Sequence, residues 1–343
     1  MNKIQDTAKE EKKIFGVKSV YIIVVLVLIV LVAIISILFN SSKKLSPKSS
    51  DTKVKPDVQA PVLQDGGNET ISDENEDGEI VVDDRQKIVL LPNGVEFCLT
   101  KVEKGSFKMG SSMKDENETL HLVHITKDFW LGKYEVTQEQ WMALMNDNPA
   151  YFKKEGKYPV ECVSWNEAME FCNKLTEIER SAGRLPEGYV YTLPTEAQWE
   201  YAARCCGKYG DRPYSGGSKI EILGWYVGNS GKTSHPVGGK KPNELGLHDM
   251  TGNVWEWCLD HSHIGSITNT YVDDISDPYC SMGSFRILRG GGWSNSTWGC
   301  RVSSRICREP RRIKTNAIGF RVALAPDVTT QTSHNKFDVH VGH

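Results

Sequence analysis

Several chemical signatures are missing from this chain. No two of its nine cysteines stand three positions apart, so the Cys-x-x-Cys halves of a structural zinc site are absent. No Ser/His/Asp order of a hydrolase and no phosphate-binding loop stands out. Neither sign of charge dominates. The 41 Lys and Arg against 44 Asp and Glu leave a net charge of −3, so no global field favours nucleic acid. No internal repeat recurs. A content of 39% hydrophobic and 25% charged residues excludes a collagen, a coiled coil, a wholly disordered chain and a polytopic membrane protein. The odd cysteine count leaves at least one thiol without a partner in its own chain.

The composition is uneven along the 343 residues. Ser19 to Ser42 carries no charge, and Val20 to Phe39 is almost wholly Val, Ile and Leu. Twenty helical residues span roughly 30 Å, the thickness of a bilayer core. The run is longer than that of a signal peptide, and Leu38-Phe39-Asn40-Ser41 is a poor cleavage site. Residues 19–42 are therefore expected to be a single-pass anchor. The lysines on its two sides balance, so the positive-inside rule does not orient it. The short flank, residues 1–18, makes a cytoplasmic N-terminus the default, with the large domain outside the cell membrane. Pro56 to Asp84 then holds ten acidic residues, no Lys or Arg and no aromatic. Such a segment buries too little apolar surface to offset its ordering entropy. Residues 43–85 read as an acidic disordered linker, 86–325 as the folded domain, and 326–343 as a flexible tail.

Within the domain, Ile88 to Phe97 reads as a strand, a turn at Asn93-Gly94 and a second strand. Three helix starts share one device: Thr137 with Gln140, Ser164 with Glu167, and Thr195 with Gln198. Each spacing predicts a capping box. Behind them, Trp141, Leu144 and Met145, then Ala168, Phe171, Cys172 and Leu175, then Trp199, Ala202 and Ala203, follow the helical period of a half-buried face. After Cys206 the helical signal stops. Short strands are expected at Phe285 to Leu288 and Phe320 to Leu324.

The stretches Phe129-Trp-Leu-Gly-Lys-Tyr-Glu-Val-Thr-Gln, Val160-Glu-Cys-Val-Ser-Trp-Asn-Glu-Ala and Leu193-Pro-Thr-Glu-Ala-Gln-Trp-Glu-Tyr resemble the formylglycine-generating enzyme, or sulfatase-modifying factor, family. So do Lys241-Pro-Asn-Glu-Leu-Gly-Leu-His-Asp-Met-Thr-Gly-Asn-Val-Trp-Glu-Trp-Cys, Arg289-Gly-Gly-Gly-Trp and Gly319-Phe-Arg-Val. They keep the family's order and cover nearly all of 86–325. The resemblance implies an α+β, loop-rich fold related to the C-type lectin fold.

The family's name-giving chemistry oxidises a substrate cysteine to formylglycine, with copper held by two cysteines four residues apart. Soft thiolates suit Cu(I), and a two-coordinate site needs both. This chain has no Cys-x4-Cys. Anchored on Arg289-Gly290-Gly291, the expected positions hold Asn295 and Cys300. Anchored on Arg301 and Arg305, they hold Gly292 and Thr297. Either way a ligand is missing, so copper and a sulfatase-maturing oxidase are not expected. No catalytic residue is assigned, and Cys300 is what remains of that site. His121 and His124 fall on opposite faces of a strand, and His261 with His263 lies in a loop.

Calcium is the cofactor the resemblance implies, in a structural role. Oxygen-rich loops suit a hard cation, and the matching segment would offer side-chain oxygens of Asp249 and Glu256 and carbonyls of Gly252 and Val254. Asn229 would belong to a second site. Finally, a fixed frame (Arg289-Gly-Gly, Cys300-Arg, Arg305, Gly319-Phe-Arg) encloses positions of mixed chemistry. This resembles the variable region of proteins diversified by diversity-generating retroelements, some of which use this fold to display a ligand surface. The resemblance implies ligand binding through Trp293, Ser294, Asn295, Ser296, Thr297, Trp298, Ile306, Arg308, Arg312 and Lys314. The partner would be a protein or surface ligand rather than nucleic acid.

Overall fold

The structure is a computed structural model, and it describes residues 85–112, 119–154, 156–262 and 273–330. The expected N-terminal segment, anchor and nearly all of the acidic linker lie outside the described residues, as does most of the tail. Among the described residues no helix is long and apolar enough to cross a membrane.

Among the described residues, twelve strands and four α-helices form an α+β arrangement. The strands are β1 Gln86–Leu90, β2 Glu96–Val102, β3 Gly105–Met109, β4 His121–Ile125, β5 Phe129–Gly132, β6 Tyr189–Thr192, β7 Trp255–Ser262, β8 Ile275–Ser276, β9 Phe285–Arg289, β10 Arg305–Arg308, β11 Ile318–Gly319 and β12 Ala323–Pro326. The helices are α1 Gln138–Met145, α2 Trp165–Ser181, α3 Glu196–Ala203 and α4 Ile220–Leu223. Three sheets result, ordered β1-β2-β5-β12-β6, β10-β9-β7-β11 and β3-β4-β8.

Each of the three capping boxes forms, with the Thr137, Ser164 and Thr195 hydroxyls accepting from the third backbone N–H of their helices. Two free amides per helix start are thereby satisfied. The apolar face of α2 (Ala168, Phe171, Cys172 and Leu175) is wholly buried. Phe171 stacks on Trp141 of α1 and meets Phe320 edge-on. Helix α3 departs from the half-buried expectation, because every one of its eight residues is buried. Its polar face meets arginines rather than water, as described below.

The strand expected over Phe320–Leu324 is divided. β11 pairs with β7 in one sheet and β12 with β5 and β6 in another. The carbonyls between them accept from Val136 and Gly132 instead, which turns Arg321 into the core. Among the described residues the short α4 is the one α-helix after Cys206, where none was expected. All nine cysteines are free thiols.

Candidate functional site

Two buried ionic clusters organise the C-terminal half. In the first, Arg289 lies between Glu196 and Glu200 of α3, all three at most 1% exposed in their side chains. Its Nη1 donates to the carbonyls of Val302 and Ser304, each at 2.8 Å. Arg305 donates through Nε to Glu196 at 2.7 Å, and Arg204 through Nε to Glu200 at 2.8 Å. The frame residues of the loop therefore hold its base to a helix more than eighty residues earlier. Gly291 sits at φ +76, where a Cβ would come within 2.7 Å of the Cys300 sulfur and the Gly299 carbonyl. The frame needs glycine there for both conformation and space.

Between the frame positions the side chains turn outward. Ser294, Ser296, Thr297 and Trp298 are exposed, as are Arg308, Arg312 and Lys314. Trp298 is 54% exposed, and the buried Arg301 guanidinium covers one face of its ring at 3.7 Å. Three expected ligand positions are less free. Trp293 is half-buried and donates to the Asn316 carbonyl. Asn295 is half-buried, with Oδ1 accepting from Gly292 N–H. Ile306, on β10, packs against the core. The Trp293–Asn316 bond, 2.8 Å long, joins the 293–300 turn to the 309–316 stretch. That stretch runs over the start of α2, where Lys314 reaches Glu167.

The calcium expectation does not hold. Among the described residues no group of three or more His, Cys, Asp or Glu side chains is placed to hold a metal ion. The Glu256 carboxylate has another partner. Glu256 receives Arg321 Nε on one oxygen and Arg321 Nη2 on the other, both at 2.6 Å. Trp199 Nε1 adds a third bond at 2.6 Å. The dication's place is taken by a guanidinium. Gly252 is needed for its φ of +80, where a Cβ would meet the Trp225 carbonyl at 2.1 Å. Val254 gives its N–H to Glu135. Asn229 closes a local turn, accepting from Tyr226 N–H and donating to the Gly224 carbonyl.

Asp249 accepts from Gly238 N–H at 2.7 Å, while its buried Oδ1 has no partner among the described residues. Burial, reinforced by the Glu256 charge, pushes its carboxyl up to about 6. Burial and the charges of Asp249 and Glu256 raise Glu135 as well. A carboxyl that holds its proton more tightly when folded stabilises the fold below its unfolded pKa. That contribution is lost as pH rises through the folded value. The melting temperature is therefore expected to fall between about pH 4 and pH 6.5. Asp249→Asn tolerates the same left-handed backbone, φ +57, and carries no charge. It should flatten that fall and gain on the order of 2 kcal/mol at pH 8. Parallel melting curves for the two proteins would contradict this.

Cys300 is wholly buried, its sulfur 3.9 Å from the Gly292 carbonyl. Burial pushes its thiol up to about 12, which disfavours the thiolate that copper binds. The second soft donor is absent at Asn295, Gly292 and Thr297 alike. A copper site does not fit these residues.

The histidine pairs are resolved in part. His121 is buried and His124 half-exposed, so they point to opposite faces as expected. His261 bonds the Gly283 carbonyl, and His263 lies outside the described residues. One arrangement escaped the sequence. His124 bridges Ser106 Oγ at 2.6 Å and Asp274 Oδ1 at 2.7 Å. Ser106 is its cross-strand neighbour, whereas Asp274 lies 150 residues away. The array stands on an open sheet face, with Asp274 75% exposed.

Comparison with known proteins follows this geometry. The family profile of the sulfatase-modifying factor enzyme 1-like domain matches residues 98–326. The chain is 35% identical to the chaperone protein LppX of Paenibacillus barcinonensis over 64% of this chain and 85% of that protein. It is 34% identical to the formylglycine-generating enzyme of Streptomyces coelicolor, over 50% of this chain and 54% of that one. It thus spans about half the length of that enzyme. Among solved structures, Treponema denticola variable protein 1 superposes with a TM-score of 0.62 at 31% identity, covering 70% of this chain and 99% of that one. PvdO from Pseudomonas aeruginosa, at 22% identity and a TM-score of 0.57, shares the fold.

Proposed function

Because the chain belongs to the sulfatase-modifying factor enzyme 1-like family, we propose that it is a membrane-anchored, extracytoplasmic binding member of it. Its ligand surface is the C-terminal loop, and it performs no copper chemistry. One observation carries this reading: burial alternates along the loop according to role. Arg289, Cys300, Arg301, Gly319 and Arg321 are buried, whereas Ser294, Ser296, Thr297, Trp298, Arg308, Arg312 and Lys314 are exposed. A scaffold held by its buried members leaves the exposed ones free to change. The likeness to Treponema denticola variable protein 1 supports the same reading, as does the resemblance of the loop to retroelement-diversified regions. The uncharged run of residues 19–42 supports the anchor.

The competing reading is a formylglycine-type oxidase, and it lacks a second thiolate. The purified full-length chain, supplied with copper and a sulfatase-type Cys peptide, should form no aldehyde. It should also stay with membranes through alkaline washing. An aldehyde product that disappears in Cys300→Ser would overturn the non-catalytic part of the reading. A freely soluble chain with an intact N-terminus would overturn the anchor.

A further inference from the structure

The loop between α1 and α2 carries an aromatic side chain in an unusual position. Tyr151 is 70% exposed, the highest value among the exposed large hydrophobic side chains of the described residues. Its backbone is nevertheless firmly held. The carboxylate of Glu161, itself fully buried, accepts from the N–H groups of both Tyr151 and Phe152, at 3.1 and 2.7 Å. Gln138 Nε2 donates to the Phe152 carbonyl at 3.0 Å, and Asn148 Oδ1 accepts from Ala150 N–H. A buried carboxylate that fixes two consecutive amides is a costly device for a loop with no task. Its result is a phenol held out in solvent on a rigid base.

That base adjoins the C-terminal loop. Phe152 meets Tyr151 edge-on at 5.1 Å and Trp293 edge-on at 5.6 Å. Ser230 Oγ donates to the Trp293 carbonyl, and Val227 N–H to that of Asn295. Val227 is 59% exposed and Trp298 54%. Tyr151 and Val227 thus come from segments that contact the turn carrying Trp298, which also bears the exposed Ser294, Ser296 and Thr297. Rigid aromatic anchors among small adaptable polar residues are the composition of a paratope.

Among the described residues, the exposed charges around Tyr151 are mostly lysines. Exposed Lys153 and Lys154 follow it, and exposed Lys232 adjoins Ser230. None of the three forms an ion pair among the described residues. Of the nearby acids, Glu161 is engaged as described and Asp147 accepts from Trp141 Nε1, while Glu139 lies beside Gly156. The rings meet at 79° and 83°, so they offer no parallel ladder on which successive bases would stack. Apolar anchors beside exposed lysines, of which Lys154 lies over the Tyr158 ring at 5.9 Å, instead match an acidic polypeptide carrying aromatic side chains.

We propose that Tyr151 anchors an extended ligand surface that joins residues 147–154 to the 293–298 turn, and that this surface takes an acidic, aromatic-containing polypeptide segment. The proposal rests on the reading of the C-terminal loop as a binding surface and adds to it a residue outside that loop.

The test uses the full-length chain and a fluorescent random copolymer of Glu and Tyr, with binding read by anisotropy. Unlabelled oligo(dT) serves as the competitor. The copolymer should bind, and oligo(dT) should not displace it. Tyr151→Ala should weaken binding at least tenfold with an unchanged melting temperature. Tyr151→Phe should retain most of it, and joint Lys153→Glu and Lys154→Glu should weaken it. Two results separate this proposal from the reading beneath it. If Trp298→Ala weakens binding and Tyr151→Ala does not, the anchor is overturned and the loop reading stands. If Tyr151→Ala weakens binding and substitutions across 294–298 do not, the anchor stands and the loop reading is overturned. Absence of copolymer binding, or displacement by oligo(dT), overturns the partner class.

Discussion

Arg321→Ala is expected to destabilise the domain by about 3–5 kcal/mol, the usual cost of removing one partner of a buried ion pair. For a domain of this size each kcal/mol moves the melting temperature by about 2–4 °C, so a fall near 10 °C or more should appear in calorimetry. The physical cause is isolation. Glu256 and Arg321 are both 0% exposed, and without the guanidinium the carboxylate keeps only Trp199 Nε1. The carbonyls of Gly132 and His248 lose donors as well. Replacing both members of the pair with Met should cost less than Arg321→Met alone, because no uncompensated charge remains. A double variant worse than the single one would show that the pair is not the source of the effect.

The second large effect is expected at Arg289. Arg289→Ala removes the cation between Glu196 and Glu200 and two donors to the loop's carbonyls. A loss of about 3–5 kcal/mol is again expected, read by urea unfolding. The informative comparison is with Arg308→Ala and Arg312→Ala in the same loop. Both side chains are exposed, and exposed substitutions usually stay within about 0.5 kcal/mol. Identical chemistry in two environments should thus give effects several-fold apart. Equal losses at the three positions would remove the distinction between frame and display.

What could be read from the sequence depended on how local its cause is. The three capping boxes and the apolar faces of α1 and α2 are written within a few residues, so their helices were legible from Thr137, Ser164 and Thr195 alone. The fold class followed from motifs in sequential order. Partners that meet through space were hidden. Glu256 in Asp249-Met-Thr-Gly-Asn-Val-Trp-Glu256 looks the same whether a calcium ion or a guanidinium 65 residues away neutralises it, and the guanidinium is what the fold supplies. The polar face of α3 promised water and met Arg204, Arg289 and Arg305 instead. Tyr151 lies in a loop without periodicity. Its only sequence signal is a pair of aromatics after Asn148-Pro149 and before two lysines, and its exposure depends on Glu161, ten residues on.

The alternation of buried frame and exposed display is tested most directly by replacing the display alone. A variant with Ser294, Ser296, Thr297, Trp298, Arg308, Arg312 and Lys314 all changed to other polar residues should be melted beside the native chain. The expected result is a single cooperative transition within about 4 °C of the native one, since exposed positions contribute little individually. A collapse comparable to that of Arg289→Ala would mean that these side chains hold the fold together, and would contradict their assignment to a ligand.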